Sequence, residues 1–145
     1  MNILFINGPS LNMLGIREPD IYGCRTYGDL CEFIHSFCHE DHEIFQSNHE
    51  GAIVDKIQDA LGKYDGIVIN AAAYTHTSVA IADALAAVAI PYAEVHLSDI
   101  YSRESFRHFS YLSAGALCTI TGKGFEGYAE AYERLAEYIT TGGIK

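Results

Sequence analysis

Positive charge is scarce in this chain of 145 residues: nine Lys plus Arg stand against nineteen Asp plus Glu, a formal charge of −10 with His neutral. A basic face able to neutralise phosphates is therefore missing, and nucleic acid is excluded as a partner. Proline is also rare, at three residues, and charged residues make up only 19% of the chain, so disordered and fibrous compositions do not fit. No apolar run approaches the roughly eighteen residues a membrane span needs, which excludes insertion. The four cysteines, Cys24, Cys31, Cys38 and Cys118, contain no CxxC pair. Three of them recur every seventh residue, a helix-face spacing, and read as reduced, mostly buried thiols. The apolar start Ile3-Leu4-Phe5-Ile6 is too short for a signal segment, has no basic lead-in and runs directly into Asn7-Gly8-Pro9. It reads as a strand, and the protein is expected in the cytoplasm.

What the chain does contain is apolar material, 49% of its residues, enough for the core of one domain spanning 1–145. Short β-type runs alternate with segments of helical period. Strands are expected at 3–6, 44–46, 66–69, 92–95 and 116–120. Tyr27, Leu30, Ile34, Phe37 and Cys38 mark one helix face, opened by Thr26 as N-cap with Asp29 three residues on. Ile53, Ile57, Ala60 and Leu61 mark a second face, and Val79, Ala82, Leu85 and Ala86 a third. Phe125, Tyr128, Tyr132, Leu135 and Ile139 mark the last. The order βαβαβαβαβα predicts an α/β fold: a flavodoxin-like, doubly wound, five-stranded parallel sheet in a three-layer αβα arrangement. In such sheets ligands bind beyond the carboxyl ends of the strands, near the switch in strand order. That rule directs attention to Asn7, Asn70 and His96 and the residues after each. Residues 9–25 exceed the usual βα connection of about 2–6 residues, so a lid is expected there.

Gly8-Pro9-Ser10-Leu11-Asn12-Met13-Leu14-Gly15 has glycines too far apart for a dinucleotide loop and no Lys-Ser/Thr pair for a P-loop. The same excursion carries Arg17 and Tyr22, a guanidinium and a phenol five residues apart, which in isolation also describe an ordinary surface turn. Asn70-Ala71-Ala72-Ala73-Tyr74-Thr75-His76-Thr77-Ser78 opens a helix whose free amides favour an anion, although Thr75, Thr77 or Ser78 could serve as a simple cap. In Glu94-Val95-His96 the period of two puts the carboxylate and the imidazole on one side, and this pair suits a general acid as well as a structural histidine. Arg103 and Arg107, four apart in an expected helical turn with His108, provide cations for an anionic substrate or a solvated face. His35 and His39 share a helix flank remote from the strand ends, so no metal site is expected. A phosphate receiver would need clustered acids after strands one and three, where Asn7-Gly8 and Asn70-Ala71 stand instead. A flavin binder would need a hydroxyl-rich loop, and Ser10 is nearly alone.

Taken in order, these blocks resemble the type II 3-dehydroquinate dehydratases. The resemblance begins with Ile6 to Gly15, Arg17-Glu18-Pro19 and Tyr22-Gly23. It continues through Gln46-Ser47-Asn48-His49-Glu50-Gly51, Asn70 with Ala73 to Ser78, Asp83-Ala84-Leu85, Glu94 to Ser98, and Phe106-Arg107-His108 with Ser110 to Ser113. It covers nearly the whole chain, and it implies conversion of 3-dehydroquinate to 3-dehydroshikimate by loss of water, with neither metal nor organic cofactor, in aromatic biosynthesis or quinate breakdown. Carried over, Tyr22 is the base and Arg17 favours its phenolate. A tyrosine ordinarily ionises near 10, so being about a tenth ionised at pH 7 requires roughly 2.7 kcal/mol of stabilisation, within reach of one partly desolvated Arg. Asn12 stabilises the enolate, and His96, oriented by Glu94, protonates the departing hydroxyl. The Leu97 amide and Ser98 grip the carboxylate, and Asn70, His76 and Arg107 bind the carboxylate and ring hydroxyls. Asp83 reaches a neighbouring subunit's site, implying a homo-oligomer, a dodecamer built of trimers. Four residues depart from the pattern: Ser10 where Asn is usual, Ala71 and Ala72 where Pro and Gly are common, and Asp99 where Asn is frequent. An inward-pointing Asp99 would weaken anion binding.

Overall fold

The computed structural model describes residues 1–16 and 18–143, with the backbone alone for Tyr22. Among these, five strands form one sheet in the order β2-β1-β3-β4-β5, all parallel: β1 (Asn2–Asn7), β2 (Asp41–Gln46), β3 (Gly66–Asn70), β4 (Tyr92–Val95) and β5 (Thr119–Ile120). The helices are a single turn α1 (Pro19–Tyr22), then α2 (Tyr27–Phe37), α3 (Glu50–Asp59), α4 (Val79–Val88) and α5 (Glu126–Thr140). The expected flavodoxin-like order is the one found.

Alternation along the strands makes the three layers. Ile3 and Phe5 of β1 turn to one face and pack with Leu30 and Ile34 of α2 and Tyr128 and Leu135 of α5. Leu4 and Ile6 turn to the other and meet Ile53 and Ile57 of α3 and Ile81 and Leu85 of α4. All of these except Leu85, at 1% exposure, have no accessible surface, and each fully buried aliphatic side chain contributes roughly 1.5–3 kcal/mol. α2 starts with a full capping box, Thr26 Oγ1 accepting from the Asp29 amide at 3.1 Å while Asp29 Oδ2 accepts from the Thr26 amide at 2.9 Å.

The departures have local causes. β2 begins at Asp41, three residues before the apolar run, because it is an edge strand whose pairing does not need apolar side chains at both faces. β5 is only Thr119–Ile120, since the Gly115 and Ala116 amides close turns onto Leu112 and Ser113. On α4 the buried face is Ile81, Ala84, Leu85 and Val88 rather than Val79, Ala82, Leu85 and Ala86, and Val79 is half exposed. That helix reads Val-Ala-Ile-Ala-Asp-Ala-Leu-Ala-Ala-Val, so apolar periodicity carries almost no contrast and packing chooses the face. Leu61 lies past the end of α3 and is exposed. Of the thiols only Cys38 is buried, while Cys24 is exposed and Cys31 and Cys118 are intermediate. Cys31 alone lies within α2, which starts at Tyr27 and ends at Phe37. Among the described residues no helix is long and apolar enough to cross a membrane.

Candidate active site

Three amides end adjacent strands in register: Asn7 of β1 faces Gln46 of β2 and Asn70 of β3. This is the place where the strand order reverses. Gly8 follows directly, and a Cβ there would lie 2.4 Å from the Ala71 carbonyl oxygen, so only glycine lets the two strand ends close together. Beneath the pocket runs a buried chain of hydrogen bonds. Asn70 Nδ2 donates to Tyr128 Oη at 3.0 Å, Tyr128 Oη donates to Asn7 Oδ1 at 2.7 Å, and Asn7 Nδ2 donates weakly to Tyr27 Oη at 3.4 Å. Burial holds both phenols protonated, Tyr128 far above its ordinary range and Tyr27 up to about 12 despite the opposing Asn7 bond.

Above that chain lies a cleft of about 640 Å³ of empty space, lined by residues following β1, β3 and β4, among them Ser10, Asn70, His76, His96, Arg103 and Arg107. His96, only 5% exposed, stands just past β4, and its Nε2 donates to Glu94 Oε1 at 2.6 Å. Nδ1 has no protein partner among the described residues, and none of their buried side-chain nitrogens or oxygens is unsatisfied, so Nδ1 opens on the cleft. Glu94 has no accessible surface. Burial alone would raise its pKa, but the bonds from His96, Ser110 and Ser113 prevail and bring it to about 2. The carboxylate therefore stays charged and holds the imidazole in one tautomer.

His76 stacks near His96, ring centroids 6.4 Å apart, and its Nδ1 donates to the Phe109 carbonyl at 2.7 Å. Burial, with the neighbouring Arg107 guanidinium, lowers its pKa against the Phe109 bond, leaving Nε2 as a neutral acceptor. Arg107 Nε bonds Glu104 Oε2 at 2.9 Å while the side chain lines the cleft, and Arg103 lines it as well. Leu97 and Ser98 follow His96, and neither amide has a protein acceptor among the described residues. Two adjacent N–H donors beside two guanidiniums are groups that can accept a carboxylate.

The β3 corner differs from the expected helix start. A 3-10 turn, Ala72–His76, intervenes, and α4 begins only at Val79 with Ser78 Oγ capping the Ile81 amide at 2.9 Å. Ser78 rather than Thr75 is thus the cap, and Thr75 donates to Glu94. Arg103 and Arg107 sit at the ends of two 3-10 turns, Ile100–Ser102 and Ser105–Arg107, not in one helical turn.

Two departures from the family pattern now have a physical reading. Ser10 has φ 68° and Ala72 has φ 51°, left-handed conformations that Asn and Gly adopt at lower cost. Ala72 is held there by Asn70 Oδ1, which accepts from its amide at 3.1 Å. Ala72→Gly is expected to raise stability by roughly 0.5–1 kcal/mol in urea unfolding. An unchanged or lower midpoint would show that the Ala72 methyl packs better than it strains. Asp99 is off the lining of this cleft, its Oδ1 accepting from the Tyr101 amide at 3.0 Å, and it lines the adjoining cleft beside Ser98.

The cleft thus brings together His96, Glu94 behind it, Asn70, His76, Leu97, Ser98 and Arg107 of the expected residues. Asn12 lies exposed in the turn after Ser10, 3.5 Å from Gln46 Nε2 and off the lining. Asp83 is exposed on α4, also off the lining. Arg17 and the side chain of Tyr22 lie outside the described residues. The backbone of Tyr22 ends α1, whose Asp20 and Ile21 line an adjoining cleft that shares Leu97, Ser98 and Arg103 with the first. Sequence reasoning overlooked Thr75, Ser110, Ser113 and Thr119 as partners of Glu94, while Arg103, offered with Arg107 as a cation for an anionic substrate or a solvated face, lines the cleft. Among the described residues no group of three or more His, Cys, Asp or Glu is placed to hold a metal ion.

The depressed carboxylate has a measurable consequence. Glu94 ionises near 2 when folded against an ordinary 4.5, so its contribution is complete above about pH 5 and is lost as pH falls toward 2. About 2 kcal/mol of stability should disappear between about pH 5.5 and pH 3 in wild type and not in Glu94→Gln. Equal acid slopes for the two proteins in urea titrations would contradict this.

The fold and the cleft define a doubly wound α/β protein with a buried His–Glu pair and two guanidiniums at its strand ends. A model of the family Dehydroquinase class II matches residues 1–136. The chain is 52% identical over 142 residues to the 3-dehydroquinate dehydratase of Prochlorococcus marinus (strain NATL1A), covering 96% of this chain and 98% of that protein. It is 54% identical over 140 residues to the catabolic 3-dehydroquinase of Aspergillus clavatus, covering 93% and 92%. The crystal structure of type II dehydroquinase from Butyrivibrio crossotus superposes with a TM-score of 0.92 at 50% identity, covering 94% of this chain and 97% of that one. The chain belongs to the class II dehydroquinase family.

Proposed function

We infer that this chain dehydrates 3-dehydroquinate to 3-dehydroshikimate. The observation that carries the reading is the His96–Glu94 pair opening on a cleft that also holds Arg103, Arg107 and the unpartnered Leu97 and Ser98 amides. A buried carboxylate that stays charged makes His96 a proton carrier, and the cations and amides match a substrate that bears a carboxylate.

The reaction divides between two groups. Tyr22, as a phenolate favoured by Arg17, removes a proton from the carbon next to the ketone, and the electron pair moves onto the ketone oxygen. Asn12 holds the water or oxygen that bears this enolate charge. The enolate collapses, the carbon–oxygen bond to the leaving hydroxyl breaks, and His96 protonates that hydroxyl so that water departs. The proton on Tyr22 then returns to His96 through solvent, and the cycle closes. His76, with its accepting Nε2, and Asn70 hold ring hydroxyls, while Arg107, Ser98 and the Leu97 amide hold the carboxylate. The lid, residues 9–25, closes the reacting groups from water.

The enzyme acts in the cytoplasm, as a homododecamer built of trimers, without metal or organic cofactor, in aromatic biosynthesis or quinate breakdown. Asp83 supports the oligomer: it is exposed on α4 and off its own cleft, where it serves a neighbour's site. Mixing purified protein with 3-dehydroquinate and no added metal should raise the enone absorbance. No rise from folded, assembled protein would overturn the assignment.

A further inference from the structure

Glu94 receives more hydrogen bonds than orientation of one imidazole requires. Its Oε1 accepts from Thr75 Oγ1 at 2.8 Å, Ser110 Oγ at 2.6 Å and His96 Nε2 at 2.6 Å. Its Oε2 accepts from Ser113 Oγ at 2.6 Å and Thr119 Oγ1 at 3.2 Å. A carboxylate offers about four lone-pair sites, so these five donors saturate it. Proton transfer through His96 uses only one of them. The other four are hydroxyls from three separate segments: the turn after β3, the loop after Arg107, and β5.

Ser110 differs from the other hydroxyls in what its oxygen accepts. The amides of Leu112 and Ser113 both donate to Ser110 Oγ, at 3.1 and 3.2 Å. Its two lone pairs are thereby filled, and its single proton is directed at Glu94. Thr75 Oγ1, 3.2 Å from the same oxygen, is then left to direct its own proton to Glu94. Ser113 Oγ accepts no backbone amide; its neighbour there is the Thr119 hydroxyl at 3.3 Å. The loop that Ser110 anchors holds substrate-facing groups too. One residue earlier the Phe109 carbonyl fixes His76 Nδ1 at 2.7 Å, and three residues earlier stands Arg107. One residue later the Tyr111 amide donates to the Thr75 carbonyl at 2.9 Å, joining this loop to the turn that carries His76.

We propose that Ser110 is a positioning residue whose hydroxyl joins the carboxylate behind the proton donor to the loop that sets His76 and Arg107, so that both hold one geometry. This rests on the dehydratase reading of the cleft. Orienting His96 affects the chemical step, whereas placing His76 and Arg107 affects binding, so the two effects separate in kcat and KM.

The test compares Ser110→Ala, Ser110→Thr and Ser113→Ala in the full chain, by steady-state kinetics with 3-dehydroquinate and by crystal structures without substrate. Ser110→Ala is expected to lower kcat roughly tenfold or more and to raise KM severalfold, since a hydrogen bond to a charged acceptor and a loop anchor are lost together. Ser113→Ala should lower kcat with KM unchanged, and Ser110→Thr, which keeps the hydroxyl, should recover both. Wild-type kcat and KM in Ser110→Ala, or an equal rise in KM in Ser113→Ala, would overturn the proposal. If Ser110→Ala fails to fold, the contrast between Ser110→Thr and Ser113→Ala still decides it. A wild-type protein inactive toward 3-dehydroquinate would instead sink the dehydratase reading. The positioning claim is then read from the Ser110→Ala crystal structure, where the Glu94–His96 and His76–Phe109 contacts should each move by about 0.5 Å or more. Both contacts unmoved would refute it.

Discussion

His96→Ala should lower kcat for dehydration by roughly 10²–10⁴-fold while KM changes little, the loss expected when a positioned general acid is removed. The leaving hydroxyl would then depart without the imidazole that protonates it. Glu94 would keep its four hydroxyl partners in this variant, so its buried charge stays hydrogen-bonded and the chain should remain folded. Thermal unfolding beside the kinetics separates chemistry from collapse. A loss below about tenfold in a folded protein would remove His96 from the role of acid.

Tyr22→Phe deletes one oxygen and is expected to have an effect of the same order on kcat, with substrate binding spared. The two variants differ in which half-reaction they stop. Abstraction of the proton next to the ketone precedes departure of the hydroxyl, so in deuterated solvent His96→Ala should still exchange that proton, and Tyr22→Phe should not. Exchange surviving in Tyr22→Phe would assign the base to another group. The backbone of Tyr22 ends α1, whose Asp20 and Ile21 line the adjoining cleft with Leu97, Ser98 and Arg103.

The pairing of Glu94 with His96 was legible because a strand has a period of two, and nothing in between changes that geometry. The cage around Glu94 was not legible. Thr75, Ser110, Ser113 and Thr119 stand 16 to 25 residues from Glu94, and hydroxyl residues in loops look alike until the chain is folded. Ser78 and Thr75 illustrate this: either could have capped a helix, and only the 3-10 turn that holds Thr75 made one a cap and the other a ligand of the carboxylate. The face of α4 was misread for the opposite reason, an excess of apolar residues rather than a lack of signal. The left-handed turns at Ser10 and Ala72 explain why those two departures matter locally and leave the donors of the cleft in place.

By itself the sequence determined the alternation of strands and helices, the capping box of α2, the location of the cleft at the ends of β1, β3 and β4, and the Glu94–His96 pair. All of these follow from local period, chain order and handed crossovers, which act over a few residues or one βα unit. Tertiary structure alone decided which face of α4 is buried, that Arg103 joins Arg107 in the cleft, that Asp99 caps the Tyr101 amide, and that four hydroxyls enclose one carboxylate. Those outcomes depend on distances between segments remote along the chain, set by how the helices pack on the sheet and by the need to satisfy every buried polar atom at once.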